Sequence, residues 1–250
     1  MGKRFKGKTC VYCATASASE TGDHVLARQF VPVARRSQIP VVPACKRCNK
    51  EKSDLERYLT TVLLFGGRHP DAAANLQNDG PRRLAKNQKL HRELAKGRSR
   101  LLTKEPSGLL VNALTVPIDG EKVEKLVGFV ARGLMWHHWG IVLGADCFVD
   151  VLSLTERGES FFQRYAEMNA KDRVKGDIGD GALVYEGAQG TDNPQVSIWQ
   201  TSILGGAKMT GTDYKNPVST FGVMTGPQAI KERASDLVRR AAFIGLHRAR

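Results

Sequence analysis

The sequence predicts an α+β fold in two parts, a short thiol-rich ββα module followed by a longer mixed α+β domain. Three observations carry that expectation. Two Cys-x-x-Cys pairs, Cys10/Cys13 and Cys45/Cys48, stand 31 residues apart and bracket two short apolar segments. A helical periodicity follows, with Leu55, Leu59, Val62 and Leu63 on one face. Charge is also lopsided: residues 1–105 hold 22 Lys+Arg against 9 Asp+Glu, and the remaining residues hold 16 against 16. The expected division is therefore 1–105, a module with a basic helical extension, and 106–250, an α+β domain.

The paired cysteines are the firmest local signal. Each Cys-x-x-Cys supplies two corners of a tetrahedral site, so Cys10, Cys13, Cys45 and Cys48 are expected to hold a structural zinc. A site of four protein thiolates is closed to substrate, and its work is folding, because a short ββα unit has little core of its own. Thiols grouped for metal suit a reducing, cytoplasmic setting. The basic start, Met1-Gly2-Lys3-Arg4-Phe5-Lys6, runs into Thr9-Cys10 rather than an apolar segment, so no secretory signal is expected. No apolar run approaches membrane-spanning length. Cys147 reads as a buried, inert thiol.

Within the bracket, the run from Ala14 to Gly22 is small and polar and reads as a loop. Asp23-His24-Val25-Leu26 opens a strand, Gln38–Ala44 holds a second, and Arg28–Ser37 between them reads as a basic loop. After Cys48 the helix either continues from Asn49 or restarts at Ser53, where Ser53-Asp54-Leu55-Glu56 has the form of a capping box. Residues 71–80 read as a polar connection, and Pro81–Arg100 as a basic helix with Leu84, Leu90 and Leu94 as its apolar stripe. That segment is equally a solvated helix face and a phosphate-tracking one. Beyond it, Leu109–Val116 reads as a strand and Glu121–Trp139 as an amphipathic helix. Residues 181–185, 195–203 and 219–224 read as strands of a small sheet, and Gln228–His247 as a closing basic helix.

A positive field confined to one half points to a polyanion, with nucleic acid the first candidate and double-stranded DNA the expected form. RNA is an alternative that charge does not separate. Lys46, Arg47, Lys50 and Lys52 lie at the helix start, where they would hold backbone phosphates without reading bases. The balanced domain is expected to supply substrate context or self-association.

Cys-x-x-Cys, then Asp23-His24-Val25, then Val42-Pro43-Ala44-Cys45-Lys46-Arg47-Cys48-Asn49-x-x-Lys52, resembles the four-cysteine branch of the HNH endonucleases. The resemblance covers about residues 10–65 and implies a zinc-clipped ββα-metal (HNH) module that hydrolyses phosphodiesters with a divalent metal. It implies His24 as general base, Asp23 as a ligand of a catalytic Mg2+ or Mn2+, and Asn49 as the last member of the triplet, also facing that ion. Where the family often has a central Asn this chain has Pro40, so the partner that orients His24 would be a backbone carbonyl or Gln38.

The chemistry suits these residue types. Histidine titrates close to neutrality and can take a proton from water. Carboxylate and amide oxygens suit hard divalent cations. Neighbouring strand residues face opposite ways, so Asp23 and His24 act together only at a strand end or bulge. The rival without catalysis is a zinc-dependent nucleic-acid-binding module or regulator in which Asp23 and His24 are structural. A further reading is a nuclease inactivated by Pro40. Glu56 is read as part of the capping box rather than a metal ligand, and His137 and His138 as part of a packed aromatic cluster. His69, His91 and His247 are assigned no role from the sequence.

Overall fold

A computed structural model describes residues 4–31, 33–104, 107–168, 172–210 and 218–240. Strand β1 (Thr21–His24) pairs antiparallel with β2 (Val41–Ala44), from Thr21 opposite Ala44 to His24 opposite Val41. The basic loop between them contains two 3-10 turns, Arg28–Phe30 and Val33–Gln38. Helix α1 (Lys46–Val62) follows β2, with Cys45 as its N-cap.

Helix α1 is continuous. The Cys45 sulfur accepts from the Cys48 amide in the first turn, so the helix is capped there and needs no second start at Ser53. The Ser53–Glu56 capping box is therefore corrected: Ser53 is exposed in mid-helix, and Glu56 is bound by Lys52 one turn back. Cys48, Lys52, Leu55, Leu59 and Val62 belong to the buried face.

The basic extension is more broken than its periodicity suggests. Residues expected as a connection are helical, in α2 (Pro70–Asn78) and the start of α3 (Gly80–Lys86). Asn87 then interrupts the helix and caps α4 (Gln88–Gly97), accepting from the Leu90 amide at 3.1 Å. Beyond Gly97 the chain becomes extended, and β3 (Ser99–Lys104) pairs with β4 (Leu110–Thr115). The boundary expected at 105/106 falls between these two strands.

Helix α5 (Gly120–Trp139) leads to β5 (Cys147–Leu154), α6 (Glu156–Met168), β6 (Arg173–Ile178), β7 (Leu183–Gln189), β8 (Ser197–Ile203) and β9 (Thr220–Pro227). These five strands form one antiparallel sheet in the order β5-β9-β8-β7-β6. Helix α7 (Lys231–Arg240) follows, and residues 241–247 of the expected last helix lie outside the described residues.

One hydrophobic core crosses the expected boundary. Leu26, Phe30, Val42 and Leu59 share it with Leu126, Val130 and Leu134 of α5 and with Trp199, Phe221 and Val223 of the sheet. The opposite sheet face packs Phe148, Ile198 and Met224 with Phe162 and Ala166 of α6. Strand alternation separates the two faces, Phe221 and Val223 on one and Met224 on the other. Gly133 lets α5 approach the end of β1: a Cβ there would stand 2.9 Å from the Val25 side chain. The change in charge at residue 106 belongs to the surface, and the core does not follow it. No helix among the described residues is long and apolar enough to cross a membrane.

Candidate functional site

The two cysteine pairs meet. Cys10 and Cys13 lie in the turn before β1, and Cys45 and Cys48 at the start of α1, so strand pairing brings the turn to the helix. The four Sγ atoms all lie within 4.8 Å of one another, with Cys13 and Cys45 at 4.0 Å. A tetrahedral zinc with Zn–S bonds of about 2.3 Å places its sulfurs about 3.8 Å apart. The cluster is compatible with structural zinc after a small contraction.

Backbone donors point at the sulfurs. The Cys45 amide donates to Cys10 Sγ at 3.3 Å, and the Cys48 amide to Cys45 Sγ at 3.5 Å. Ala14 adopts φ 58° directly after Cys13, in a turn whose Ala14 amide reaches the Cys10 carbonyl at 2.9 Å. Burial pushes the Cys10 and Cys48 thiols up. Burial also opposes ionisation of Cys13, but hydrogen bonds from Thr15 and the neighbouring sulfurs outweigh it and bring that thiol down to about 6. Ionising all four in so small a space calls for a cation, and a bound metal supplies it.

A second buried charge cluster is built on Asp23. Its Oδ2 accepts from the Tyr12 hydroxyl at 2.7 Å and faces the Lys52 ammonium at 3.2 Å. Lys52 also donates to the His24 carbonyl at 2.7 Å and pairs with Glu56. Its side chain is 0% exposed. Burial raises the Glu56 carboxyl while Lys52 pulls the other way, and burial followed by the Asp23 charge holds the Tyr12 phenol well above its usual value.

The predicted site residues divide accordingly. His24 is the last residue of β1 and is half-buried. Burial, then the nearby Arg28 charge, lowers its pKa, with Asp23 opposing, so the imidazole is neutral near pH 7. No bulge interrupts the pairing of Asp23 with Val42 and His24 with Val41, which leaves the strand end as the place where the two side chains could act together. Among the described residues no hydrogen bond reaches the His24 ring: Gln38 is exposed, and the Pro40 carbonyl is taken by the Val25 amide at 2.9 Å. Asn49 lies in the first turn of α1, one turn before Lys52 and on the same side, and its side-chain amide has no partner among the described residues.

Of the four cations expected to hold phosphates, Lys52 is corrected: it is internal, because Asp23 and Glu56 would otherwise be buried without a counter-charge. Lys46 is exposed but pairs with Glu20 at 3.0 Å. Arg47 is exposed, and the Cys48 and Cys13 sulfurs raise its pKa. Lys50 is exposed.

Sequence reasoning missed Tyr12, although it lies between the first two cysteines, and missed the Lys52–Glu56 pairing, although the i,i+4 spacing was visible. His138 sits in the aromatic cluster, its Nε2 2.9 Å from the Tyr185 hydroxyl and its ring beside Trp199. Cys147 is buried and donates to Gln195 Oε1 at 2.6 Å. A cleft of about 490 Å³ between α5 and β5 is lined by Tyr12, Lys125, Phe129, Arg132, Val149 and Asp150, and neither His24 nor Asn49 lines it.

Comparison of the chain with family models, with curated proteins and with solved structures gives no match.

Proposed function

We propose that the protein is an HNH-type endonuclease that hydrolyses nucleic-acid phosphodiesters, with DNA as substrate and His24 as general base. The observation that carries this reading is a neutral, half-buried histidine at a strand end, its backbone carbonyl bound by Lys52 of α1, in the unit that also holds the four-cysteine cluster. The neutral imidazole takes a proton from the attacking water, whose oxygen bonds to phosphorus as the 3′ oxygen leaves. Lys52 holds the His24 backbone through its carbonyl and so sets the position of the ring.

The donor set for a catalytic ion is small. Asp23 Oδ2 is shared between Tyr12 and Lys52, which leaves Oδ1 and the Asn49 amide oxygen as hard ligands. Two such oxygens suit Mg2+ or Mn2+ when water and substrate phosphate complete the shell. When bound there, the ion would neutralise charge developing on the phosphate. The cysteine cluster, as structural zinc, would keep β1 and α1 in register. Reduced thiols fit a cytoplasmic setting.

The test is nicking of plasmid DNA in magnesium or manganese by wild type and His24→Ala. The variant is expected to retain its zinc and its melting temperature and to lose cleavage. Cleavage by wild type should rise with pH and reach half its maximum below the ordinary histidine value of about 6.5, because burial lowers the His24 pKa. Undiminished nicking by His24→Ala sinks the assignment.

One observation favours a second reading, a zinc-dependent nucleic-acid-binding module without catalysis. Asp23 already has its counter-charge inside the fold. That reading predicts salt-dependent binding and no nicking with any divalent ion.

A further inference from the structure

We propose that helix α4 and the β3–β4 ribbon form an arm that docks on double-stranded DNA, with the cations of residues 86–100 on phosphates and the ribbon in the major groove. The inference rests on the nucleic-acid reading above and assigns it a surface away from the helix start first expected to bind.

The helix anchors through one face only. Leu90 and Leu94 of α4 pack with Val62 at the end of α1. The rest of residues 86–100 is exposed and basic: Lys86, Lys89, Arg92, Lys96, Arg98 and Arg100 stand against a single acid, Glu93. Lys89 lies 4.0 Å from Glu93, and Arg92 donates to the Gln88 carbonyl. Lys86, Lys96, Arg98 and Arg100 have no ion pair or hydrogen bond from their side chains among the described residues. In α1, by contrast, Lys46 and Lys52 are paired within the chain and Arg47 faces the Cys13 and Cys48 sulfurs, which leaves Lys50 as the exposed cation at that helix start.

The ribbon continues this basic surface. Among the described residues, strands β3 and β4 pair only with each other and form a sheet of two strands. Arg100 stands opposite Leu114, and Leu102 opposite Asn112, so these four share one face, and Leu110 of β4 lies on that face too. Leu102, Leu110 and Leu114 are 58%, 64% and 54% exposed, while Leu101, Val111 and Ala113 on the other face are partly buried. A face of exposed leucines on a two-stranded sheet calls for a partner.

Charge decides which partner. A second copy applied to the same patch by two-fold symmetry would bring Arg98 and Arg100 against their own kind. A duplex meets the cations with phosphates instead. The B-form major groove, about 12 Å wide, admits a two-stranded ribbon and offers thymine methyl groups to leucine side chains. The deep, narrow major groove of A-form RNA does not admit it.

The test uses full-length, zinc-loaded protein without magnesium and measures duplex binding by fluorescence anisotropy between about 50 and 200 mM salt. The variant Lys86→Gln/Lys96→Gln/Arg98→Gln/Arg100→Gln is expected to bind about 10- to 100-fold more weakly and to lose about 3 to 4 from the salt slope. Leu102→Ser/Leu110→Ser/Leu114→Ser should weaken binding with the slope unchanged. Wild-type binding that the cation variant leaves intact overturns the arm and spares the nuclease reading. Equal affinity for double-stranded RNA of the same sequence overturns docking in the groove, and conversion of a wild-type dimer to monomer by the leucine variant assigns the ribbon to self-association instead. Failure of wild type to bind any nucleic acid overturns the arm and the functional reading together.

Discussion

Two buried charge clusters hold the same strand and helix together, and they are balanced in different ways. Cys10, Cys13, Cys45 and Cys48 converge with the exposed Arg47 as a cation at their edge. Asp23 and Glu56 share Lys52, a cation supplied by the chain and wholly buried between them. The first cluster has the geometry to take an added zinc ion, whereas the second is closed by the chain itself. One small unit thus combines a cluster compatible with a metal clasp and a clasp that needs no metal, the second bonded directly to the His24 backbone.

Loss of zinc from the cysteine cluster is expected to have the largest effect. Stripping zinc with a chelator, or Cys45→Ser, should cost about 5 kcal/mol or more, given the size of structural-zinc binding energies. Because the same core includes Leu59, Leu126 and Trp199, the loss should appear as one cooperative transition at lower temperature in a calorimetric scan. A zinc-free protein that melts where the loaded one does would show that the four thiols clasp nothing.

Next in size is Lys52→Met, which leaves two carboxylates buried without their cation and should cost about 3–5 kcal/mol in urea denaturation. Adding Asp23→Asn and Glu56→Gln to that variant should restore part of the loss; no recovery would mean that the lysine acts through packing rather than charge. Tyr12→Phe removes one hydrogen bond to a carboxylate and should cost about 1.5–3 kcal/mol in the same assay. It should leave zinc content unchanged, which separates the two clusters.

The smallest effect is on pH dependence. Burial lowers the pKa values of His24, His137 and His138 in the folded protein. The unfolded chain then binds protons first, so stability is full above about 6.5 and declines as pH falls through the lowered folded values. Replacing His24 by Gln should flatten the slope on the acid side of about pH 6.5, measured by urea midpoints; a steeper slope would reverse the sign assigned to its burial.

Much of the thiol cluster was legible because its ligands come in local pairs: a Cys-x-x-Cys turn presents two sulfurs together wherever the chain goes. The strand before Cys45 and the helix after it could be read from a short apolar run and a helical stripe, whereas the first strand is Thr21–His24 and ends just before the apolar Val25-Leu26 from which it was expected. The ribbon at Ser99–Lys104 could not, since Leu101 and Leu102 follow a helical pattern and only the break after Gly97 makes them extended. The strand from Cys147 to Leu154 was equally hidden, because a strand covered on both faces loses its alternation.

What the sequence determined by itself was the mixed α+β class, the four-cysteine set and the concentration of positive charge in residues 1–105. Those features depend on local spacing and on composition. Tertiary structure decided which charges remain available. It buried Lys52 between Asp23 and Glu56, paired Lys46 with Glu20, and left the cations of residues 86–100 and the leucines of β3–β4 exposed. The physical reason is that a side chain's partner depends on which faces of distant segments meet, and the packing of α1 against β1 and α5 sets that here.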